Sequence, residues 1–209
     1  MAEFTFFTNP MSRGQIARWA LHEAGADYEQ VLCGWGPKPE ALIAANPMGK
    51  VPTVIHHAPG GDRVVTEAAA ICLYLAEVLP GAGLSPRAEE LADYLRWSFF
   101  AAGPVEQAVT ARSMGFEPQT PQQQGMAGYG SYNRMVDALA GHFATHAFVC
   151  GDRFTMADVY VGSQVDWGLM FQSLPERPEF SAYAERLRAR PAYQAAKAID
   201  GKLIAEMQQ

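Results

Sequence analysis

The chain changes character at Pro80, and that change constrains its fold more than any other feature. Before it, strand-like runs alternate with helical ones; after it, the apolar patterns keep the period of a helix. Phe4-Thr5-Phe6-Phe7, closed by Thr8-Asn9-Pro10, reads as a buried strand and a turn. Ser12 to Ala24 sets Ile16, Trp19 and Ala20 at helical spacing, with Gly25 as the stop. Tyr28 to Leu32 is a second strand, and Pro39 to Ala45 a short helix ended by Asn46-Pro47. Thr53 to His57 and Arg63 to Thr66 are strands joined by a Pro/Gly loop, and Ala69 to Leu79 is an apolar-faced helix. The order β-α-β-α-β-β-α demands a mixed sheet, because the first crossover joins parallel strands and the late hairpin joins antiparallel ones.

Pro80 to Pro86 reads as a compact linker, so the expected organisation is α/β plus all-α: residues 1–79, a linker at 80–86, and a helical domain at 87–209. In the second part, Leu91, Leu95, Ala102, Val105 and Val109 form one helical stripe, and Tyr132, Met135, Val136, Leu139 and Phe143 form another. Pro118 to Gly130, rich in Gln, Gly and Pro, is expected to be a mobile excursion between them. Thr155-Met156-Ala157-Asp158 has capping-box spacing, with Asp in the usual Glu or Gln position. The helix it starts is apolar on nearly all sides, so Asp158 is expected to tie down N–H groups rather than to catalyse. Pro191 suits the first turn of a last, short helix.

The net charge of -6 and pI near 5.3 argue against a nucleic-acid partner, which needs a basic face. No apolar run is long enough for a membrane span, and Met1-Ala2-Glu3-Phe4 lacks the start of a signal peptide. The three cysteines, Cys33, Cys72 and Cys150, share no metal-type spacing. Cys72 and Cys150 read as small core residues and Cys33 as partly exposed, and all three fit a reducing cytoplasm. No metal is expected.

Asn46-Pro47-Met48-Gly49-Lys50-Val51-Pro52-Thr53-Val54 places an X-Pro bond directly before a strand. Proline cannot donate to a ladder, so it belongs at the strand start, and X-Pro is the bond at which cis is accessible. A cis Val51-Pro52 bond would turn the Val51 N–H and C=O outward to meet an extended peptide.

Three segments in this order resemble the soluble glutathione S-transferases over nearly the full chain: Asn46 to Val54, Thr66-Glu67-Ala68 with the helix after it, and Gly151-Asp152-Arg153-Phe154-Thr155-Met156-Ala157-Asp158. The resemblance implies a thioredoxin-like domain followed by a helical one, in a homodimer. Asn9-Pro10-Met11-Ser12-Arg13 is similar to the serine-type zeta-, theta- or beta-like bacterial branches, and no tyrosine precedes Tyr28 to act at the end of the first strand. It further implies that glutathione is the co-substrate, with Ser12 and Arg13 favouring its thiolate. Asn9, Met11, Lys50, Val51, Pro52, Glu67 and Ala68 would bind the tripeptide. Many members carry Ser or Thr where Ala68 stands, so one side-chain hydrogen bond is missing. From its residues alone, Ser12 reads first as a plain helix N-cap, and the catalytic role comes from the resemblance.

The implied chemistry is attack of the glutathione thiolate on a small hydrophobic electrophile, in a pocket between domains drawn from Met11, Phe100, Arg112, Met114, Phe116 and Trp167. A glutathione-dependent isomerase or dehalogenase of zeta or theta type is one alternative, and a non-catalytic binding module of the same fold another. A serine-hydrolase reading fails because no GxSxG elbow is present.

Overall fold

The computed structural model describes residues 2–208. Its strands and helices run in the order β1 (Phe4–Thr8), α1 (Gly14–Ala24), β2 (Tyr28–Leu32), α2 (Glu40–Ala45), β3 (Thr53–Ala58), β4 (Gly61–Thr66) and α3 (Ala68–Val78). There follow α4 (Leu91–Phe100), α5 (Glu106–Ser113), α6 (Pro121–Met126), α7 (Tyr132–Phe143), α8 (Met156–Met170), α9 (Pro178–Arg188) and α10 (Pro191–Met207). The four-stranded sheet has the order β2-β1-β3-β4, with β1 and β2 parallel and the other pairs antiparallel. This is the mixed sheet that the element order demands.

The chain divides into two compact units, one of Pro86–Arg188 and the other of the chain before Pro86 together with that from Ala189 onward. The last helix therefore groups with the sheet, whereas the sequence placed it in a helical domain of 87–209. The cause is a set of polar ties to α1. Arg18 is fully buried and its Nε donates to Asp200 Oδ1 at 2.8 Å. Arg190 grips both oxygens of Glu23 at 2.6 and 2.7 Å, and Lys197 Nζ reaches Gln15 Oε1 at 2.6 Å. Trp19 and Tyr193 pack edge to face at 5.1 Å. Burial holds the Asp200 carboxyl above its ordinary range, against the pull of Arg18.

In the second unit α8 is the central helix, buried over most of its length, as apolar residues on nearly all its sides require. Its start is closed by Asp158, which is wholly buried. Asp158 Oδ1 accepts from Val149 N–H (2.7 Å) and the Tyr183 hydroxyl (2.8 Å), and Oδ2 from Thr155 N–H (2.8 Å) and Thr155 Oγ1 (3.1 Å). Burial outweighs these donors and pushes its pKa up to about 6. Asp158 is thus structural, as expected. Glu90 pairs through both oxygens with Arg153, which holds its carboxyl down to about 2.

The stripe Tyr132, Met135, Val136, Leu139 and Phe143 is buried as expected. The stripe drawn from Leu91 through Val109 is not. Leu91, Leu95 and Ala102 are exposed, and the buried face carries Tyr94, Trp97, Ala101, Val105 and Ala108. That face keeps helical spacing through a π-helical turn over Ala101–Val105, which contains Pro104. The excursion from Pro118 to Gly130 contains α6, whose start is closed by Thr120 Oγ1 and the Gln123 amide.

Candidate active site

Sheet register brings four chain segments to one end. Thr8 lies opposite Leu32, Phe7 opposite Thr53, and Thr53 opposite Thr66. The segments that leave β1, β2 and β4, and the one that enters β3, therefore all emerge at the same edge. They carry Asn9 to Arg13, Cys33 to Pro39, Glu67-Ala68, and Asn46 to Pro52.

Asn46 builds the β3 approach from within. Its Nδ2 donates to Lys50 C=O and Thr53 Oγ1, both at 3.1 Å, and its Oδ1 accepts from Met48 N–H at 3.1 Å. Thr53 Oγ1 also donates to Lys50 C=O at 2.9 Å, and Gly49 supplies the left-handed turn at φ 63°. The Val51-Pro52 peptide is cis. The Val51 side chain packs on the buried cluster of Phe7, Cys33 and Leu42. Among the described residues, neither the N–H nor the C=O of Val51 has a hydrogen-bond partner. Lys50 is exposed.

The loop before α1 is closed on itself. Asn9 is buried; its Nδ2 donates to Cys33 C=O (2.8 Å) and its Oδ1 accepts from Met11 N–H (2.8 Å). Ser12 Oγ donates to Asn9 C=O at 2.8 Å and accepts from Gly14 N–H at 3.0 Å. Gln15 N–H goes to Ser12 C=O and Ile16 N–H to Arg13 C=O. One expectation changes here. The helix begins at Gly14 rather than Ser12, because Asn9 folds the preceding residues into a turn. Its first N–H groups are taken up by the chain itself. Arg13 and Met11 are exposed beside this turn.

The start of α3 is the opposite. Glu67 sits at φ 65°, ψ 120°, a left-handed conformation that L side chains adopt rarely and that costs about 1–3 kcal/mol. Its side chain is exposed and caps nothing. Among the described residues, the N–H groups of Ala68, Ala69 and Ala70 have no partner, and the first paired donor is Ile71, bonded to Glu67 C=O at 2.9 Å. An 11-residue helix thus presents its open positive end beside an exposed carboxylate.

Three features escaped the sequence reading. Thr8 Oγ1 is buried without a partner, directly under Gly14, where any Cβ would collide with it. Gln15 Nε2 donates to Pro10 C=O at 2.5 Å while its Oε1 takes Lys197, so α10 braces the Pro10 turn. Cys33 is buried rather than partly exposed, and burial raises its thiol, which leaves it no thiolate role.

Of the residues expected around an electrophile, Met11 belongs to the first unit and the other five scatter within the second. Met114 and Phe116 line a cavity of about 840 Å³. Arg112 instead lies over the Tyr132 ring at 4.0 Å, Phe100 packs edge-on to Trp97 at 5.2 Å, and Trp167 meets Phe171 at 6.4 Å. Among the described residues, no group of three His, Cys, Asp or Glu side chains could hold a metal.

The chain matches the glutathione S-transferase N-terminal domain over residues 2–77 and the glutathione S-transferase C-terminal domain over residues 100–191. It belongs to the glutathione S-transferase family. Glutathione S-transferase GstA of Escherichia coli O157:H7 is 24% identical over 202 residues, covering 93% of this chain and 98% of that one. The theta class glutathione S-transferase of Xanthomonas axonopodis pv. citri, solved with glutathione bound, has a TM-score of 0.71 and 28% identity, covering 94% and 97%. A sphingomonad glutathione S-transferase complexed with glutathione gives 0.73 and 27%, covering 94% and 98%. Within the family, this chain's open α3 start and unpaired Val51 backbone belong to the matched N-terminal domain. Among the described residues, no helix is long and apolar enough to cross a membrane.

Proposed function

We propose that this chain is a glutathione transferase that lays the tripeptide along one end of its sheet and activates the thiol there for attack on a hydrophobic electrophile. The unpaired backbone at that end carries the reading. Val51 offers an N–H and a C=O to an extended cysteinyl segment, in the manner of an added strand. The N–H groups of Ala68 to Ala70 suit the γ-glutamyl carboxylate, and Glu67 its ammonium. Lys50 is free in solvent to meet the glycyl carboxylate.

The free thiol, with a pKa near 8.5, is only a few per cent ionised at pH 7. Ser12 acts on it as a donor and not as a nucleophile. Its proton leaves Asn9 C=O, which still receives Ser12 N–H at 3.1 Å, and turns to the sulfur. That exchange costs about 1 kcal/mol of hydrogen bonding. Gly14 N–H meanwhile keeps polarising the hydroxyl oxygen. Arg13 adds positive potential. Asn9 supports the site by holding the turn, while Met11 and Pro52 contribute surface.

The committed Ser12 proton also favours a second reading, a module that binds glutathione without turnover. Calorimetry and turnover of a chloronitrobenzene acceptor separate the two. Wild type and Ser12→Ala should bind glutathione alike, while kcat/KM falls roughly ten- to a hundredfold in the variant and the ultraviolet thiolate band of the complex disappears. Binding without turnover in wild type selects the module, and no binding at millimolar glutathione overturns both.

The protein is further proposed to act as a cytoplasmic homodimer. Its described cysteines are all free. Leu91, Leu95 and Phe99 repeat every fourth residue on the exposed side of α4, at 47, 40 and 67% exposure. Light scattering of Phe99→Arg should show a monomer, and an unchanged dimer would exclude this face.

A further inference from the structure

The cavity in the second unit has a charge pattern of its own. Its volume, about 840 Å³, suits a small-molecule site, and its walls come from α5, the turn after it, α6 and Tyr129. Met114, Phe116 and Tyr129 give it apolar and aromatic surface, and the amides of Gln107, Gln119 and Gln123 give it hydrogen-bonding capacity. Its charged lining consists of two carboxylates, Glu106 and Glu117, without an arginine or lysine.

Two nearby arginines have partners of their own: Arg112 lies over the Tyr132 ring at 4.0 Å, and Arg177 is paired with Asp137 at 2.6 Å. Glu106 is held in place by Gln164, whose Nε2 donates to its Oε1 at 2.8 Å. The field of Glu117 is felt across the cavity: it adds to burial in raising the Tyr129 phenol.

We propose that this cavity binds apolar, aromatic-sized ligands that are neutral or cationic, and rejects anionic ones. A cation gains attraction from both carboxylates and from the ring faces of Phe116 and Tyr129. An anion meets two like charges, with no arginine or lysine in the lining to compensate. The binding site is complete within the second unit, so it stands whether or not glutathione binds to the first. As a statement about the electrophile it rests on the transferase reading, and it narrows that substrate to uncharged or cationic compounds.

The test is fluorescence titration of the full chain without glutathione, using two probes of similar size: anionic anilinonaphthalene sulfonate and a cationic styrylpyridinium dye. The cation should bind at least about tenfold more tightly. Glu106→Gln with Glu117→Gln should bring the ratio near one, and Phe116→Ala should weaken both probes; circular dichroism melts confirm that the variants fold. Absence of cationic binding, equal or tighter anionic binding, an unchanged ratio in the double variant, or indifference of both probes to Phe116→Ala would each overturn the proposal. Glutathione calorimetry on the same samples keeps the two readings apart, since its failure leaves the probe ratio untouched.

Discussion

Two helices of the first unit begin at the same end of the sheet and treat their first N–H groups in opposite ways. At α1, Ser12 Oγ, Ser12 C=O and Arg13 C=O take the donors of Gly14, Gln15 and Ile16. At α3, Glu67 turns away at φ 65° and leaves Ala68 to Ala70 unpaired. A closed start is a rigid platform that presents a side chain, here the Ser12 hydroxyl. An open start leaves unpaired donors at the positive end of the helix dipole, an arrangement that favours a negative group. The second unit supplies the control, since the α8 start is closed by a buried carboxylate and serves stability alone.

The largest effect should come from removing that control. Asp158→Ala leaves Val149 N–H, Thr155 N–H and the Tyr183 hydroxyl without their acceptor, and should cost at least about 3 kcal/mol in urea unfolding. A loss under about 1 kcal/mol would break the distinction between closed and open starts. The pH profile sharpens it. The native Asp158 pKa of about 6 exceeds the ordinary 3.8, so the folded state keeps a proton that the unfolded chain releases between those values. The stability this supplies is full below the unfolded value and is lost as pH rises through about 6. Asp158→Asn, which cannot ionise, should flatten that segment of the profile.

Next in size is Glu67. Glu67→Gly relieves the left-handed backbone and should raise stability by about 1 kcal/mol, while glutathione affinity measured by calorimetry falls about tenfold or more. Retained affinity in that variant would assign recognition to the backbone donors alone. Smallest is Ala68→Ser, which adds a hydroxyl to the open start. It should tighten glutathione binding by up to about tenfold, a charged hydrogen bond's worth. An unchanged Kd would mean that the backbone N–H groups already satisfy the ligand.

Much of this was legible beforehand. The strand and helix order followed from apolar period and from Gly and Pro punctuation, and those signals are local. The Val51-Pro52 strand entry and the Glu67-Ala68 helix start were likewise visible, because each is a chemical requirement written in adjacent residues. The Leu91 to Val109 stripe lies on the wrong face because α4 carries apolar residues on both sides, and Tyr94, Trp97, Ala101, Val105 and Ala108 satisfy the same helical period. The bond from Ser12 Oγ to Asn9 C=O has no sequence signature, because its acceptor is a backbone group that any residue carries. Thr8 under Gly14 left only a faint trace, a glycine in the first turn of a helix.

The sequence by itself determined which segments become strands and helices and where proline enters β3, since steric preference, hydrophobic period and proline geometry act over a few residues. Only the tertiary structure decided where the final helix lies. Arg18 and Asp200 are 182 residues apart, and their pairing moves α10 onto the sheet unit, where Lys197 and Gln15 brace the Pro10 turn. It also decided which helix start is closed and which open, because a hydrogen bond depends on partners that folding alone brings within reach.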